Sequence, residues 1–134
     1  MILVDTSAWI EFLRDTASPV CERVEEVLAG DIALADPVRM EVLAGARNEQ
    51  HLVQLKRLLA RGSVFHTRPI DYDQAAILYR QCRANGETVR KLIDCLIAAV
   101  AIRNDVSILH MDTDFEVLAR HTALKTEESP DTEI

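Results

Sequence analysis

The sequence has 134 residues, of which 49% are hydrophobic and 28% charged, and this composition predicts one globular domain and excludes a disordered chain. The formal net charge of −7 argues at first against a nucleic-acid partner, but nine of the 22 acidic residues lie in the last eight positions or in a constellation of acids described below. The other 13 acids face 15 Lys and Arg, so net charge neither supports nor excludes a partner that carries phosphate.

The predicted elements alternate between strand and helix. A strand at 2–4 precedes helices at 8–14 and 19–30, and a strand at 32–35 leads through Asp36-Pro37, an N-cap and a first-turn proline, into a helix at 37–45. There follow a helix at 52–59, a weak strand at 64–65, helices at 72–84 and 92–103, a strand at 106–109 and a last helix from 115. This alternation predicts an α/β fold, a three-layer α/β/α sandwich with a small parallel sheet.

One domain is expected over 1–126. Four acids in the last eight residues predict a flexible acidic tail over 127–134. The helix at 92–103 is apolar nearly all round, which predicts a central, buried position. Aromatic residues are scarce, and Trp9, Tyr72 and Phe115 are expected in the core.

The cysteines and the apolar runs predict a cytoplasmic protein. Cys21, Cys82 and Cys95 are scattered and form no CxxC pair, which is typical of a reducing compartment. The longest apolar run, 95–102, is shorter than the roughly 20 residues that a membrane-spanning helix needs. The start MILVDTSAW has no basic residues and does not resemble a signal peptide.

Five acids carry the functional argument. Asp5 follows the first strand, at the sheet edge where ligands bind in open α/β sheets, although an Asp there also serves as a helix cap. Glu41 shares a helix face with Val38 and Val42, so it is either at the rim of the core or bound to a partner.

Asp94 lies in the first turn of the predicted buried helix, where the helix dipole favours an acid in any case, but its face continues through apolar residues. Asp112 and Asp114 follow the last strand as MDTDF. One of the two is expected to cap the last helix, and that role explains one Asp but not both. Asp112 is nearer the strand end and is the better site candidate.

Together these acids converge on one edge of the sheet. Several carboxylates cannot all stay ionised within a few ångströms without a cation. A site of carboxylate oxygens without His or Cys favours Mg²⁺ or Mn²⁺ over zinc. One or two such ions can polarise a phosphodiester and lower the pKa of an attacking water.

The chain resembles the PIN-domain nucleases, and its length and ETVR segment are similar to the VapC-type toxins of bacterial toxin–antitoxin pairs in particular. The match runs along nearly the whole chain, through MILVDTSAW, DPVRMEVLAGA, ETVRKLIDCLIAAVAI and ILHMDTDFEVLA. The resemblance implies an Mg²⁺-dependent endoribonuclease, with Mn²⁺ as a substitute. It implies as catalytic residues and metal ligands Asp5, Asp94, Asp112 and Glu41, the last directly or through water. Supporting roles are implied for Thr6 or Ser7 through a hydroxyl, for Asp114, and for Arg90 near the mouth of the site.

The resemblance also implies partners. These are a substrate such as tRNA or another structured RNA, and a small VapB-like antitoxin that covers the site and places a basic side chain among the acids. Toxin homodimers and toxin–antitoxin hetero-oligomers are implied as well.

A basic segment beside the acids supports an RNA partner. Arg80, Arg83, Arg90 and Lys91 face a single acid, Glu87, and residues of this kind would hold phosphates on either side of the cut. A solvated helix face with a basic last turn explains the same residues equally well.

Other functions compete with this interpretation. A phosphotransfer receiver would need an acidic pair after the first strand, and a dehalogenase-type phosphatase would need a second Asp where Ser7 stands. A housekeeping PIN-domain RNA-processing nuclease and a non-catalytic PIN-like binding module remain as alternatives, and the intact acidic set argues against the second of these.

Overall fold

A computed structural model describes residues 1–127, so most of the expected acidic tail lies outside the described residues. The elements are β1 (Ile2–Val4), α1 (Thr6–Leu13), α2 (Pro19–Leu28), β2 (Ile32–Ala35), α3 (Asp36–Ala44), α4 (Glu49–Leu59), β3 (Ser63–Phe65), α5 (Pro69–Ala84), α6 (Leu92–Arg103), β4 (Ser107–Leu109) and α7 (Thr113–His121). None of the helices within 1–127 is long and apolar enough to cross a membrane.

The four strands form one parallel sheet in the order β3-β2-β1-β4. Ile2 of the central strand β1 pairs with Ile32 on one side and with Ser107 on the other. In β2, Ala33 and Leu34 point to opposite faces of the sheet and both are buried, so helices cover both faces. The expected α/β sandwich with a small parallel sheet is therefore confirmed.

Helix α6 is the centre of the core, as its apolar sequence predicts. Five consecutive residues of this helix, Ile97 to Ala101, are buried, and so no side of this stretch faces solvent. Trp9 and Phe115 are fully buried as expected. The expectation for Tyr72 is wrong, because its side chain is 59% exposed. The buried stripe of α5 runs through Asp71, Ala75, Leu78 and Cys82, and Tyr72 lies one residue, about 100°, off that stripe.

The start of α3 differs from the prediction in its cap. Ala35 is the N-cap, and Asp36 is already helical. The carboxylate of Asp36 instead accepts a hydrogen bond from the backbone N–H of Thr67, 3.1 Å away, in the segment that joins β3 to α5. A tertiary partner has replaced the local cap, which a sequence pattern does not reveal.

The segment after α7 covers the outer edge of β4. The backbone N–H of Ile108 donates to the carbonyl of Lys125 at 3.0 Å, and the N–H of Glu127 donates to the carbonyl of Ile108 at 2.8 Å. The carboxylate of Glu127 also pairs with Arg23 of α2 at 2.6 Å. Glu127, the first residue of the expected tail, is thus hydrogen-bonded to the sheet.

All three cysteines are free thiols inside the core. Burial raises the pKa of Cys95 to about 12, and burial likewise raises the pKa of Cys82. Neither thiol forms appreciable thiolate at neutral pH, so a nucleophilic role for them is excluded.

Candidate metal centre

The sheet topology brings the chain segments after β1 and β4 side by side. These two strands are parallel neighbours, so Asp5 and Asp112 emerge at the same edge of the sheet. The backbone N–H of Asp5 donates to the carbonyl of Leu109, the last residue of β4, at 2.9 Å. The first turn of α6 adds Asp94.

Three carboxylates form a compact cluster at this edge. Asp94, Asp112 and Asp114 each offer an oxygen, and these atoms lie within 4.8 Å of one another. Their side chains are at most 7% exposed. Asp112 is the N-cap of α7 and accepts a hydrogen bond from the backbone N–H of Asp114 at 2.9 Å, which confirms that one of the two acids caps this helix.

Asp5 is buried beside this cluster and held by Ser7. Its Oδ2 accepts hydrogen bonds from the Ser7 backbone N–H at 3.0 Å and from the Ser7 hydroxyl at 2.6 Å. The same hydroxyl accepts from the backbone N–H of Met111 at 2.9 Å and so joins the ends of β1 and β4. Burial raises the pKa of Asp5, and repulsion from Asp112 adds to this effect.

Asp94 is the carboxyl group whose ionisation is most disfavoured in this site. Burial, together with a hydrogen bond shared with Asp114 and repulsion from Asp5, raises the pKa of Asp94 to about 8. Burial also acts against the charge of Asp114, but hydrogen bonds from the backbone N–H groups of Arg90 and Lys91, both 3.0 Å long, outweigh it and lower the pKa of Asp114. Without a bound cation, Asp94 is therefore protonated and Asp114 is ionised at neutral pH.

Two basic side chains lie over the carboxylates from the solvent side. The ammonium of Lys91 contacts Asp112 and lies 3.6 Å from Asp94 Oδ2. The guanidinium of Arg90 lies 3.3 Å from Asp112 and 3.4 Å from Asp114. Burial alone would raise the pKa of Asp112. The hydrogen bonds from Lys91 and from the backbone N–H of Asp114, together with the positive charges of Lys91 and Arg90, outweigh burial and lower this pKa.

Glu41 is at the same edge but outside the compact cluster. It accepts a hydrogen bond from the hydroxyl of Thr6 at 2.9 Å and is partly exposed. Thr6 and Glu41 line one end of a cavity of about 420 Å³ that extends between α1, α3 and α4 past Ile10 and Leu13.

The basic residues divide into two groups. The guanidinium of Arg90 lies at the mouth of the site, and the ammonium of Lys91 contacts the carboxylates although its side chain is 53% exposed. Arg80 and Arg83 are exposed on α5 and form no side-chain hydrogen bond or ion pair within residues 1–127. Sequence reasoning missed the pairing of Lys91 with the acids, although its spacing of three residues from Asp94 is one at which helical side chains meet.

The donor set fits a hard divalent cation. Oδ1 of Asp5 and Oδ2 of Asp94 are buried oxygens with no hydrogen-bond partner among residues 1–127. Unpaired buried carboxylate oxygens are costly, and a cation removes that cost. All the candidate ligands are oxygens, which Mg²⁺ and Mn²⁺ prefer.

Comparison with known proteins finds a matching family model, similar sequences and a similar fold. The family model described as PIN domain matches residues 2–121. Ribonuclease VapC11 of Mycobacterium tuberculosis and VapC ribonuclease Mb1587 of Mycobacterium bovis are each 45% identical over 129 residues, which cover 93% of this chain and 96% of the relative. The crystal structure of VapBC2 from Rickettsia felis bound to a DNA fragment from their promoter shares the fold with a TM-score of 0.76, at 20% identity and over 95% of this chain and 98% of that one.

Proposed function

The chain belongs to the PIN-domain family, and from that premise we propose that it is a metal-dependent endoribonuclease that acts as the toxin of a toxin–antitoxin pair. The single observation that carries the proposal is the buried carboxylate cluster at the sheet edge, with two oxygens that lack a hydrogen-bond partner within residues 1–127. The relatives named VapC ribonuclease support RNA as the substrate.

We assign the metal to Asp5, Asp94 and Asp112, with Glu41 contributing through a water molecule. Asp114 has a different part, because both of its oxygens already accept backbone hydrogen bonds from Arg90 and Lys91. It positions the segment that carries these two basic residues. Mg²⁺ is the proposed ion, and Mn²⁺ is its substitute.

The bound ion would supply positive charge that polarises the scissile phosphodiester and favours deprotonation of the attacking water. The chain contributes position and charge. Ser7 orients Asp5 through the hydroxyl bond of 2.6 Å, and Thr6 orients Glu41. Arg90, whose side chain is 67% exposed, can reach a phosphate of the substrate while its backbone stays bound to Asp114.

The decisive experiment is cleavage of structured RNA, such as tRNA, by the purified protein. We expect cleavage with Mg²⁺ or Mn²⁺, none in EDTA, and products with 5′-phosphate and 3′-hydroxyl ends. Asp94→Asn should be inactive and folded, because it removes a charged ligand and keeps the shape. Cleavage in EDTA, or 2′,3′-cyclic phosphate ends, would show that the reaction does not use this site.

The contribution of the exposed arginines is tested by the salt dependence of RNA binding. If Arg83 contacts a phosphate, Arg83→Ala should weaken binding and reduce the slope of log affinity against log salt by about one. Arg57→Ala, an exposed arginine of α4, is the matched control. Equal slopes for Arg83→Ala and Arg57→Ala would identify Arg83 as part of a solvated helix face.

We propose that the antitoxin occupies the cavity beside Glu41. Ile10 and Leu13 line it and are 38% and 41% exposed, so apolar surface is available next to the site. The neighbouring Trp9 is fully buried and does not contribute to this surface. Solved neighbours that are toxin–antitoxin complexes, among them VapBC from Salmonella typhimurium, support a VapB-like partner.

Toxicity and rescue test this partner. Expression of the chain alone should arrest growth, and coexpression of the small gene beside it should restore growth. Ile10→Asp should weaken rescue without reducing RNA cleavage. A chain that cleaves RNA in vitro but is harmless when expressed alone would instead be a housekeeping nuclease.

We propose a homodimer through the face that carries Met40, Tyr72 and Leu92, each 59% exposed. Tyr72, Ile93 and Leu96 line two adjoining cavities there, of about 270 and 340 Å³. Light scattering should give twice the chain mass for the wild type and the chain mass for Tyr72→Glu. A monomeric wild type at micromolar concentration would contradict this assembly.

The three buried cysteines are free thiols, which is typical of proteins in a reducing compartment, and we propose that the protein is cytoplasmic.

A further inference from the structure

The ammonium of Lys91 lies within the carboxylates that we assign to the metal. It contacts Oδ2 of Asp112 and is 3.6 Å from Oδ2 of Asp94. The latter oxygen is buried and has no hydrogen bond within residues 1–127. A cation that bridges Asp94 and Asp112 would need the space beside these same two oxygens.

The backbone of Lys91 is anchored, whereas its side chain is long and half-exposed. The backbone N–H donates to Asp114 at 3.0 Å, which anchors the residue at the start of α6. The side chain is 53% exposed, and it reaches the acids through a flexible four-carbon stem. The ammonium can therefore leave the carboxylates for solvent without any change in the backbone.

Arg90 differs from Lys91 in its contacts with the carboxylates. Its guanidinium lies 3.3 Å or more from the nearest carboxylate oxygens and also donates to Thr113 at 3.2 Å. It has no contact with Asp94 among its hydrogen bonds and ion pairs within residues 1–127. Of the two basic residues, Lys91 is the one that stands between Asp94 and Asp112.

We propose that Lys91 is the internal counter-cation of the metal-free site and that a divalent ion must displace its ammonium from Asp112 and Asp94 in order to bind. The inference rests on the proposed metal site. In the metal-free protein Lys91 partly neutralises the carboxylates and lowers the affinity for the ion, because binding breaks a charge-assisted hydrogen bond. Once displaced, the ammonium lies at the mouth of the site, where it adds positive charge for the substrate.

Chemical labelling of the lysines tests displacement directly. The chain has three lysines, Lys56, Lys91 and Lys125, so reductive methylation resolved by mass spectrometry follows each one. In EDTA, we expect Lys91 to be labelled roughly tenfold more slowly than the exposed Lys56, because its ammonium is held by a charged acceptor. Saturating Mg²⁺ should raise the rate at Lys91 to that of Lys56. The rate at Lys125, paired with Asp105 at 2.7 Å, should not change.

Direct binding of Mn²⁺ gives a second, independent readout. Lys91→Met removes the ammonium and keeps the length of the stem. It should bind Mn²⁺ roughly tenfold more tightly than the wild type, as measured by the paramagnetic resonance signal of the free ion. Lys56→Met is the control and should bind as the wild type does.

The outcomes separate this inference from the proposed function. If the wild type binds Mn²⁺ and cleaves RNA while Lys91 stays protected from labelling, the ammonium remains on Asp112 and the inference is overturned alone. If the wild type binds no Mn²⁺ and cleaves RNA in EDTA, the proposed metal site is overturned as well. The Mn²⁺ affinity of Lys91→Met alone would not distinguish displacement of the ammonium from its repulsion of the ion at a distance. The labelling rate of Lys91 does distinguish them.

Discussion

Asp94 holds its proton well above the pH at which an aspartate ordinarily releases it. The folded-state pKa of about 8 lies above the ordinary value of 3.8. Between these two values the folded protein binds a proton that the unfolded chain has released. The free energy of unfolding of the metal-free protein therefore falls as pH rises through this interval, and the stability that the proton contributes is fully present only below it.

Asp94→Asn should remove this pH dependence, because the amide resembles the protonated carboxyl group and does not ionise. In EDTA, we expect the variant to melt several degrees above the wild type near pH 8, and the two to converge near pH 4. Thermal melts across this range provide the measurement. Asp73→Asn, at an exposed position of α5, controls for the loss of a surface charge. If the difference in melting temperature between Asp94→Asn and the wild type does not change with pH, the raised pKa of Asp94 is refuted.

Ser7 acts through Asp5 rather than on the substrate. Its hydroxyl donates to Asp5 at 2.6 Å and accepts from the backbone of Met111 at 2.9 Å. Ser7→Ala should lower cleavage by about 10- to 100-fold, as the loss of groups that orient metal ligands does. It should cost only about 1 kcal/mol of stability, because the exposed Met111 can bind water instead. Cleavage by Ser7→Thr, which restores the hydroxyl, should recover; if it does not, orientation by the hydroxyl is not the cause.

At the scale of elements, an ion pair with a buried carboxylate links α5 to α6. Arg103, in the last turn of α6, binds Asp71 through two hydrogen bonds of 2.8 and 2.9 Å and donates to the carbonyl of His66 at 2.8 Å. Asp71 is 1% exposed and also accepts from the backbone N–H of Arg68. The hydrogen bonds from Arg103 lower the pKa of Asp71, so this contribution to stability is present near neutral pH and is lost as pH falls below about 4.

Arg103→Ala should destabilise the protein by about 3 kcal/mol, because it leaves the Asp71 carboxylate buried without its partner. Lys125→Ala breaks an exposed pair and should change stability by less than about 1 kcal/mol. Urea unfolding of both variants at neutral pH measures the difference. Similar losses of stability in the two variants would mean that burial does not determine how much an ion pair contributes to stability.

The sequence predicts the elements that apolar residues define and misses details that polar contacts define. The ends of α6 are predicted correctly, since its residues are apolar nearly all round. Helices α4 and α5 each begin three residues earlier than their apolar spacing indicates. The first residues of α4 are polar, and in the first turn of α5 the buried residue is Asp71, which is held by hydrogen bonds rather than by apolar packing. Of the site, sequence places the acids at one sheet edge. The contact of the Lys91 ammonium with the acids depends on the backbone hydrogen bond from Lys91 to Asp114, 23 residues away, which no local pattern contains.

At the scale of the whole molecule, the last described segment closes an otherwise open sheet edge. Lys125 and Glu127 form the two backbone hydrogen bonds to Ile108. A chain that ends at Leu124 should lose about 2 kcal/mol and aggregate more readily, because β4 then presents unpaired backbone groups. A chain that ends at Glu127 keeps these bonds and should cleave RNA like the full chain. Equal solubility and melting temperature for the two truncations would contradict a role for the segment.

The three buried thiols also report on unfolding, because each can react only when the structure around it opens. Cys21, Cys82 and Cys95 are at most 3% exposed, and they belong to three different helices, α2, α5 and α6. A thiol reagent can reach them only when the packing around them opens. If the domain opens as one cooperative unit, all three should react at a single rate, and that rate should fall equally at each when Mg²⁺ is added. Faster reaction at Cys21 alone would instead show that α2 opens on its own, with the metal site intact.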